Sequence, residues 1–311
     1  MAGKVPRALL FYNPRAPGPR SGGRRRLDSL CATFRARQVI LDIMATEGPG
    51  HVLQTSEGLE ERGYDLFIAW GGDGTVNEVG NVAARLDRPL GILPGGTLNM
   101  LARELGVPRR LDQATDLLFH GALRRIKAGR AGERLFFVMA GAGFDAAVCR
   151  AVSPRHKDAL GRLAYLAHGG GLLFTYPFPT LSVRCDGMAF NGTQVVISNV
   201  PHYAGRLKLA PLASLDSTAL DLCVLKGGGA LDYLQFMLRL LIRRHTRWRE
   251  LVYFKGWSFA LASSDPVPVQ VDGEYCGTLP VRVELVPEAL QVVTPAGDSP
   301  SPLAVMLKSA G

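Results

Sequence analysis

The sequence lacks several features that assign a protein to a class at sight. Cys31, Cys149, Cys185, Cys223 and Cys276 are widely separated, so there is no CxxC pair, no zinc-knuckle spacing and no evident disulfide framework. Their odd number fits reduced thiols in a cytoplasmic protein. The six histidines form no HExxH or other close metal pair. No apolar run approaches the roughly 18 residues that read as a membrane span. After Lys4 and Arg7 the apolar stretch runs only from Ala8 to Tyr12 before Asn13-Pro14, too short for a secretory signal core. These absences predict a cytoplasmic protein whose membrane contact is peripheral. The 36 glycines and 20 prolines show no G-x-y period, which excludes collagen. Acidic side chains are the scarce charge: Asp+Glu 27 against Lys+Arg 36 leaves +9. That excess calls for an anionic partner, and a nucleotide phosphate, nucleic acid or an acidic membrane surface would each satisfy it.

What is present is a well-stocked globular chain. Its 311 residues, 47% of them apolar, suffice for about two domains at roughly 150 residues each. In the first third, Ala8–Tyr12, Val39–Met44, Asp65–Trp70 and Pro89–Leu93 read as strands separated by helical stretches. That alternation predicts a parallel sheet with crossover helices, whose ligands bind beyond the carboxyl ends of the strands. After about residue 125 short β-rich runs follow one another: Leu135–Ala140, Thr180–Cys185, Val195–Ser198, Leu220–Leu225, Leu251–Tyr253, Trp257–Ala262, Val267–Val271 and Val281–Val286. They suggest an antiparallel sandwich or barrel, interrupted by helices at Ala159–Phe174 and Leu231–Arg249. The expected organisation is 1–125 parallel α/β domain, 126–295 β domain, and a 296–311 segment that packs back on the first.

Two glycine-rich turns follow strands of the predicted sheet. Asp65–Trp70 runs into Gly71-Gly72-Asp73-Gly74-Thr75, and Val76-Asn77-Glu78-Val79 opens a helix. Such a turn lets backbone N–H groups approach a bulky anion at a helix N-terminus, a site suited to phosphate. Asp73 would repel that phosphate unless it works through Mg²⁺ or accepts a hydrogen bond from the nucleotide; alternatively the segment is a tight turn with an Asp side-chain cap. Leu93-Pro94-Gly95-Gly96-Thr97-Leu98-Asn99 repeats the pattern before a helical Met100–Leu105, with Thr97 the expected cap. The two turns should lie side by side.

These residues resemble the diacylglycerol kinase catalytic-domain family, which includes sphingosine, ceramide and bacterial lipid kinases. Asn13-Pro14 with Ser21-Gly22, Thr46, Ala140-Gly141-Ala142-Gly143-Phe144-Asp145-Ala146 and Val271-Asp272-Gly273-Glu274 extend the likeness over nearly the whole chain. The Gly-Gly-Asp-Gly-Thr turn alone is shared with NAD kinases and phosphofructokinases. The resemblance implies a Rossmann-like parallel α/β domain followed by an antiparallel β-sandwich. It further implies ATP and Mg²⁺ as cofactors, with Asn13, Thr46, Gly71, Gly72, Asp73, Gly74, Thr75, Val76, Asn77, Gly96, Thr97 and Glu274 near the nucleotide. Asp272 would be the general base that takes the proton of a lipid hydroxyl. By turn chemistry alone, Asp272-Gly273 is an ordinary hairpin turn.

The sequence departs from the family in three places. Arg15-Ala16-Pro17-Gly18-Pro19-Arg20 lengthens the first loop, and Arg24, Arg25 and Arg26 follow at a helix start, against the helix dipole. Met100 stands where many members carry Asp. The bacterial members' regulatory Mg²⁺ stretch reads Leu215-Asp216-Ser217-Thr218-Ala219-Leu220-Asp221, with Ser217 at the ligating carboxylate's position and Asp216 the remaining candidate ligand. Arg239, Arg243 and Arg247, four apart in the second helix, would line one face. That face would be either a membrane-binding or a solvated one. The Ala159–Phe174 segment with Tyr176-Pro177-Phe178-Pro179 is a candidate rim for lipid access.

The expected activity is therefore transfer of the γ-phosphoryl of ATP to a lipid alcohol. The expected partners are that lipid and an anionic membrane, not nucleic acid; the oligomeric state is open. The competing readings are a NAD kinase-like or other small-alcohol kinase, and a non-catalytic nucleotide- or lipid-binding homologue.

Overall fold

A computed structural model of the chain describes residues 5–20, 22–152 and 162–309. Ser21 of the first nucleotide loop and residues 159–161 of the lipid-access segment lie outside them. The chain divides into two compact units, Met1–Ile126 with Glu288–Gly311, and Lys127–Pro287. Against the expected return to the first unit after residue 295, the change falls at Glu288, inside the strand Val281–Thr294.

In the first unit, β1 (Arg7–Tyr12), β2 (Ile40–Ala45), β3 (Leu66–Gly71) and β4 (Leu90–Pro94) are parallel in the order β2-β1-β3-β4. Val292 adds a further parallel neighbour opposite Leu90. Each strand lies within a residue of its predicted span. All six residues of β3 are buried, which is why its sequence is a continuous apolar run and not an alternation. Tyr12 pairs with Ala45 and with Trp70, and Gly71 with Pro94, so the four carboxyl ends finish level. The C-terminal segment stays in this unit. Ser299 and Pro300 pair with Leu123 and Ala122, and the Ser301 hydroxyl donates to the Leu118 carbonyl at 2.7 Å before the helix Pro302–Ser309.

The second unit is a β-sandwich. One antiparallel sheet runs Leu251–Gly256, Leu220–Leu225, Gln194–Ser198, Met139–Ala142, Pro268–Val271, Glu274–Thr278. Opposite it, Met188–Gly192, Leu181–Cys185, Ser258–Ala262 and the start of Val281–Thr294 pair antiparallel. Val195, Ile197, Leu222 and Val224 from the first sheet meet Leu181, Val183, Phe259 and Val283 from the second in one dry core. The strands Met188–Gly192 and Glu274–Thr278 escape the sequence reading because their side chains are mostly exposed and carry no apolar alternation.

The second predicted helix is shorter than expected. It spans Ala230–Leu241 and stops because Arg243 adopts φ 56°. The Arg244 N–H then donates to the Arg239 carbonyl at 2.8 Å and closes the end. Arg243 and Arg247 therefore lie beyond the helix, and the predicted row of three arginines on one helical face does not form.

Candidate active site

The glycine turns of the first unit pack backbone against backbone. The Gly95 N–H donates to the Gly71 carbonyl at 2.8 Å, and the Gly18 N–H to the Gly95 carbonyl at 2.8 Å. A Cβ on Gly96 would stand 2.5 Å from the Gly72 Cα, and one on Gly71 2.5 Å from the Thr75 hydroxyl. No side chain fits at these positions, which is the physical reason for the glycine run. The lengthened first loop is thereby placed beside the second turn, where Pro19 lies 2.8 Å from the site of a Gly95 Cβ.

Asp73 has a role the sequence did not reveal. Its carboxylate accepts the N–H of Asn99 at 3.0 Å and that of Met100, so it caps the helix Met100–Glu104 from the neighbouring turn. Thr97, the expected cap, is exposed and two residues short of the cap position, which Asn99 fills at φ 48°. The Asn99 side chain closes its own turn, accepting from the Gly96 N–H at 2.9 Å and donating to the Gly96 carbonyl at 2.7 Å. Asp73 thus ties the two glycine turns together.

The other expected nucleotide residues of the first unit gather at the same strand ends. Asn13 donates its N–H to the Trp70 carbonyl at 2.9 Å, and its side-chain oxygen accepts from Arg15 at 2.9 Å. Thr46, buried, donates its N–H to the Tyr12 carbonyl at 2.8 Å. Gly72 precedes the helix Asp73–Arg85, whose first turn holds the buried Thr75, Val76 and Asn77. The buried Glu78, which the sequence reading passed over, accepts N–H bonds from Gly50 at 2.7 Å and Val52 at 3.1 Å and so fixes the loop after β2. The site pairs a helix start, with its N–H groups and partial positive charge, with a second turn held beside it, an arrangement suited to phosphate oxygens.

In the second unit Asp272 and Gly273, at φ 49° and 82°, form the two-residue turn between Pro268–Val271 and Glu274–Thr278. It is a hairpin turn, as turn chemistry predicts, and it is also an anchored one. The Asp272 carboxylate accepts N–H bonds from Phe137 at 3.0 Å and from Val138 and Met139, both at 2.9 Å. Glu274 is ion-paired with Arg134 at 2.7 Å. Behind the turn, Gln270 accepts from the Gly273 N–H at 2.8 Å and donates to Asp145 at 3.3 Å, while Gln194 donates to Asp145 at 2.6 Å. Burial pushes the Asp145 carboxyl up, and the bonds from Gln194, the Ala146 N–H and Gln270 oppose that shift. Gln194 and Gln270 gave no signal in the sequence beyond being polar residues within apolar runs. Tyr176 and Phe178, from the segment expected at a lipid-access rim, pack on Phe144, with ring centroids 5.7 and 5.5 Å away.

The residues around Asp216 do not suit a regulatory Mg²⁺. Asp216 is exposed, and its backbone N–H bonds the Ser214 hydroxyl at 3.2 Å. The ammonium of Lys127, a residue buried to 5% exposure, donates to the Ser217 hydroxyl at 2.8 Å and to the Ala219 carbonyl. The oxygens a cation would use are already held by a cation, and among the described residues no three His, Cys, Asp or Glu side chains converge on a metal site. Burial pulls the Lys127 pKa down to about 8, with Asp221 and Asp216 opposing and Lys255 reinforcing the shift. Lys127 also escapes the sequence reading, since one lysine in a β run has no local signature.

Residues 7–131 match the diacylglycerol kinase catalytic domain, and residues 138–294 match the YegS C-terminal NAD kinase beta sandwich-like domain. A diacylglycerol kinase of Bacillus subtilis (strain 168) is 31% identical over 294 residues, covering 93% of this chain and 96% of that protein. One from Staphylococcus aureus (strain MRSA252) is 29% identical over 293 residues, covering 93% and 92%. The crystal structure of a diacylglycerol kinase from Bacillus anthracis str. Sterne superposes with a TM-score of 0.73 at 24% identity, over 94% of this chain and 98% of that one.

Proposed function

The chain belongs to the diacylglycerol kinase catalytic-domain family, and from that premise we propose that it transfers the γ-phosphoryl of ATP to a hydroxyl of diacylglycerol or a related lipid alcohol. The N–H groups of the two glycine turns, with Asn13, Thr46, Thr75 and Asn77 around them, hold the nucleotide. Mg²⁺ carried with ATP would neutralise phosphate charge as transfer proceeds. Asp272 accepts the proton of the attacking hydroxyl while the new O–P bond forms and the bond from the γ-phosphorus to the bridging oxygen of ADP breaks. The three main-chain N–H bonds to Asp272 keep its carboxylate in one orientation, and the Arg134 ion pair does the same for Glu274.

The observation that carries this reading is the pair of glycine turns joined through Asp73, Asn99 and Gly96. They build an anion site in which the chain's backbone does the binding. Because the lipid resides in a bilayer, the enzyme works as a peripheral membrane protein; among the described residues no helix is long and apolar enough to cross one.

The test is to incubate the purified protein with labelled ATP and Mg²⁺ against diacylglycerol and other lipid alcohols, NAD, and small soluble alcohols. Label in a lipid product supports the proposal. Label in NAD or a soluble alcohol alone would move the protein to the small-substrate kinases. ATP binding without transfer to any acceptor would make it a binding protein.

A further inference from the structure

The helix Ala230–Leu241 is amphipathic in an unusual sense, because both of its long faces are apolar. Its inner face seats Tyr233, Phe236 and Leu240 in the core, with the Tyr233 ring 4.5 Å from that of Phe144. Its outer face carries Leu231, Leu234, Leu238 and Leu241, followed by Ile242, at spacings of three and four that place them in one stripe. Leu231 is 74% exposed, Leu238 60% and Leu241 61%. A contiguous row of large aliphatic side chains in water marks an interaction surface, not a solvated helix.

The chemistry beside the stripe identifies the partner. Arg243, Arg244, Arg247 and Arg249 follow at the helix's C-terminal end, and all four are exposed. The segment bearing them is tied down: the buried His245 hydrogen-bonds the Leu209 carbonyl through Nε2 at 2.9 Å, and Arg239 lies over the Trp248 ring at 5.0 Å. The acidic groups nearby are engaged, Asp232 with the Gly228 N–H at 2.9 Å and Glu250 with Arg249 at 3.2 Å. Aliphatic groups bordered by arginines match a surface whose interior is hydrocarbon and whose headgroups are anionic. A second copy of the chain fits less well: paired parallel through the stripe it would bring the arginine clusters together, and paired antiparallel it would leave them at opposite ends with no anionic surface to meet.

We propose that the Leu231–Ile242 stripe, with Arg243, Arg244 and Arg247, docks the protein on an anionic phospholipid bilayer. The proposal deepens the lipid-kinase reading by naming the surface through which a membrane-resident substrate is approached. The leucines enter the acyl boundary and the arginines meet phosphate headgroups.

The experiment is co-sedimentation with vesicles of phosphatidylglycerol and phosphatidylcholine, or of phosphatidylcholine alone, without ATP. The wild type should bind the anionic vesicles, and bind less at raised salt or to phosphatidylcholine alone. A Leu234→Gln/Leu238→Gln/Leu241→Gln variant and an Arg243→Gln/Arg244→Gln/Arg247→Gln variant should each lose about tenfold or more in partitioning. All six side chains project into solvent, so both variants should melt like the wild type. Both should also phosphorylate a soluble short-chain diacylglycerol at the wild-type rate and lose activity only on vesicles. Wild-type protein that ignores anionic vesicles, or a leucine variant that binds them undiminished, overturns the proposal. So does a wild-type dimer that the leucine variant splits. The two readings fail separately: vesicle binding with no phosphorylation of any lipid refutes the kinase and leaves the docking surface, whereas turnover of the soluble lipid without vesicle binding does the reverse.

Discussion

Replacing Asp272 by asparagine should harm the protein in two measurable ways. The carboxylate accepts three buried main-chain N–H groups, from Phe137 on one oxygen and from Val138 and Met139 on the other. An amide offers one acceptor oxygen. Turned toward Val138 and Met139, it sets its NH₂ against the Phe137 N–H; turned the other way, it orphans two donors instead of one. The first arrangement leaves one buried N–H unsatisfied, at about 1–3 kcal/mol. It also removes the charge assistance from the two remaining bonds, at about 0.5–1 kcal/mol each. Asparagine tolerates φ 49°, so backbone strain adds little. The sum is about 2–5 kcal/mol, a large share of a typical stability of about 5–15 kcal/mol. At roughly 2–4 °C per kcal/mol, the melting temperature should fall by about 4–20 °C. Phosphoryl transfer, measured with labelled ATP and diacylglycerol at a temperature where circular dichroism shows the variant folded, should fall by at least about 100-fold. An unchanged melting temperature would refute the anchoring argument. A folded variant retaining activity within a few-fold would refute the base.

Four further outcomes are expected. Asp73→Ala removes the acceptor for the Asn99 and Met100 N–H groups and should cost about 1–2 kcal/mol in denaturant unfolding. It should also weaken binding of a non-hydrolysable ATP analogue in calorimetry; undisturbed stability would mean the cap carries no energy. Gly96→Ala drives a Cβ to within 2.5 Å of the Gly72 Cα, where backbone must move, so about 1–3 kcal/mol and most nucleotide affinity should be lost. Lys127 binds its proton less tightly when folded, at about 8 against an ordinary 10.5. Below about pH 8 both states are protonated and the burial penalty is constant. Between there and about 10.5 the unfolded chain holds more protons, so wild-type stability should rise with pH relative to Lys127→Met by up to about 3 kcal/mol; parallel curves would contradict the shift. Finally, Mg²⁺ should leave the melting temperature of the ATP-free wild type unchanged, while Lys127→Ala/Ser217→Asp should gain a Mg²⁺-dependent rise. A wild-type rise abolished by Asp216→Asn would show that a metal does bind there.

Much of the architecture was legible in the sequence because its causes are local. A strand buried on both faces must be continuously apolar, as Leu66–Gly71 is, and a turn whose backbone touches another backbone must be glycine, as Gly95 and Gly96 are. Such constraints write themselves into consecutive residues, so the parallel strands, the two turns and sandwich strands such as Leu181–Cys185, Gln194–Ser198, Leu220–Leu225 and Ser258–Ala262 could be read within a few positions, whereas Ala122–Ala131 was missed and Val281–Thr294 was read eight residues short. The partners of the polar groups could not. Asp73 reaches donors 26 and 27 residues away, Asp272 donors 133 to 135 away, and Lys127 oxygens 90 and 92 away. Those meetings depend on which strands pair and in what register, and a carboxylate or ammonium is chemically content with many partners. The end of the helix at Ile242 was hidden for a related reason: the left-handed turn at Arg243 is a conformation no arginine announces. The sequence by itself determined the family, the two-part fold and the place of the two glycine turns at the ends of the parallel strands. Only the tertiary structure decided that Asp73 binds the turns together, that Lys127 stands in the oxygens of the Ser217 loop, and that a stripe of leucines faces water.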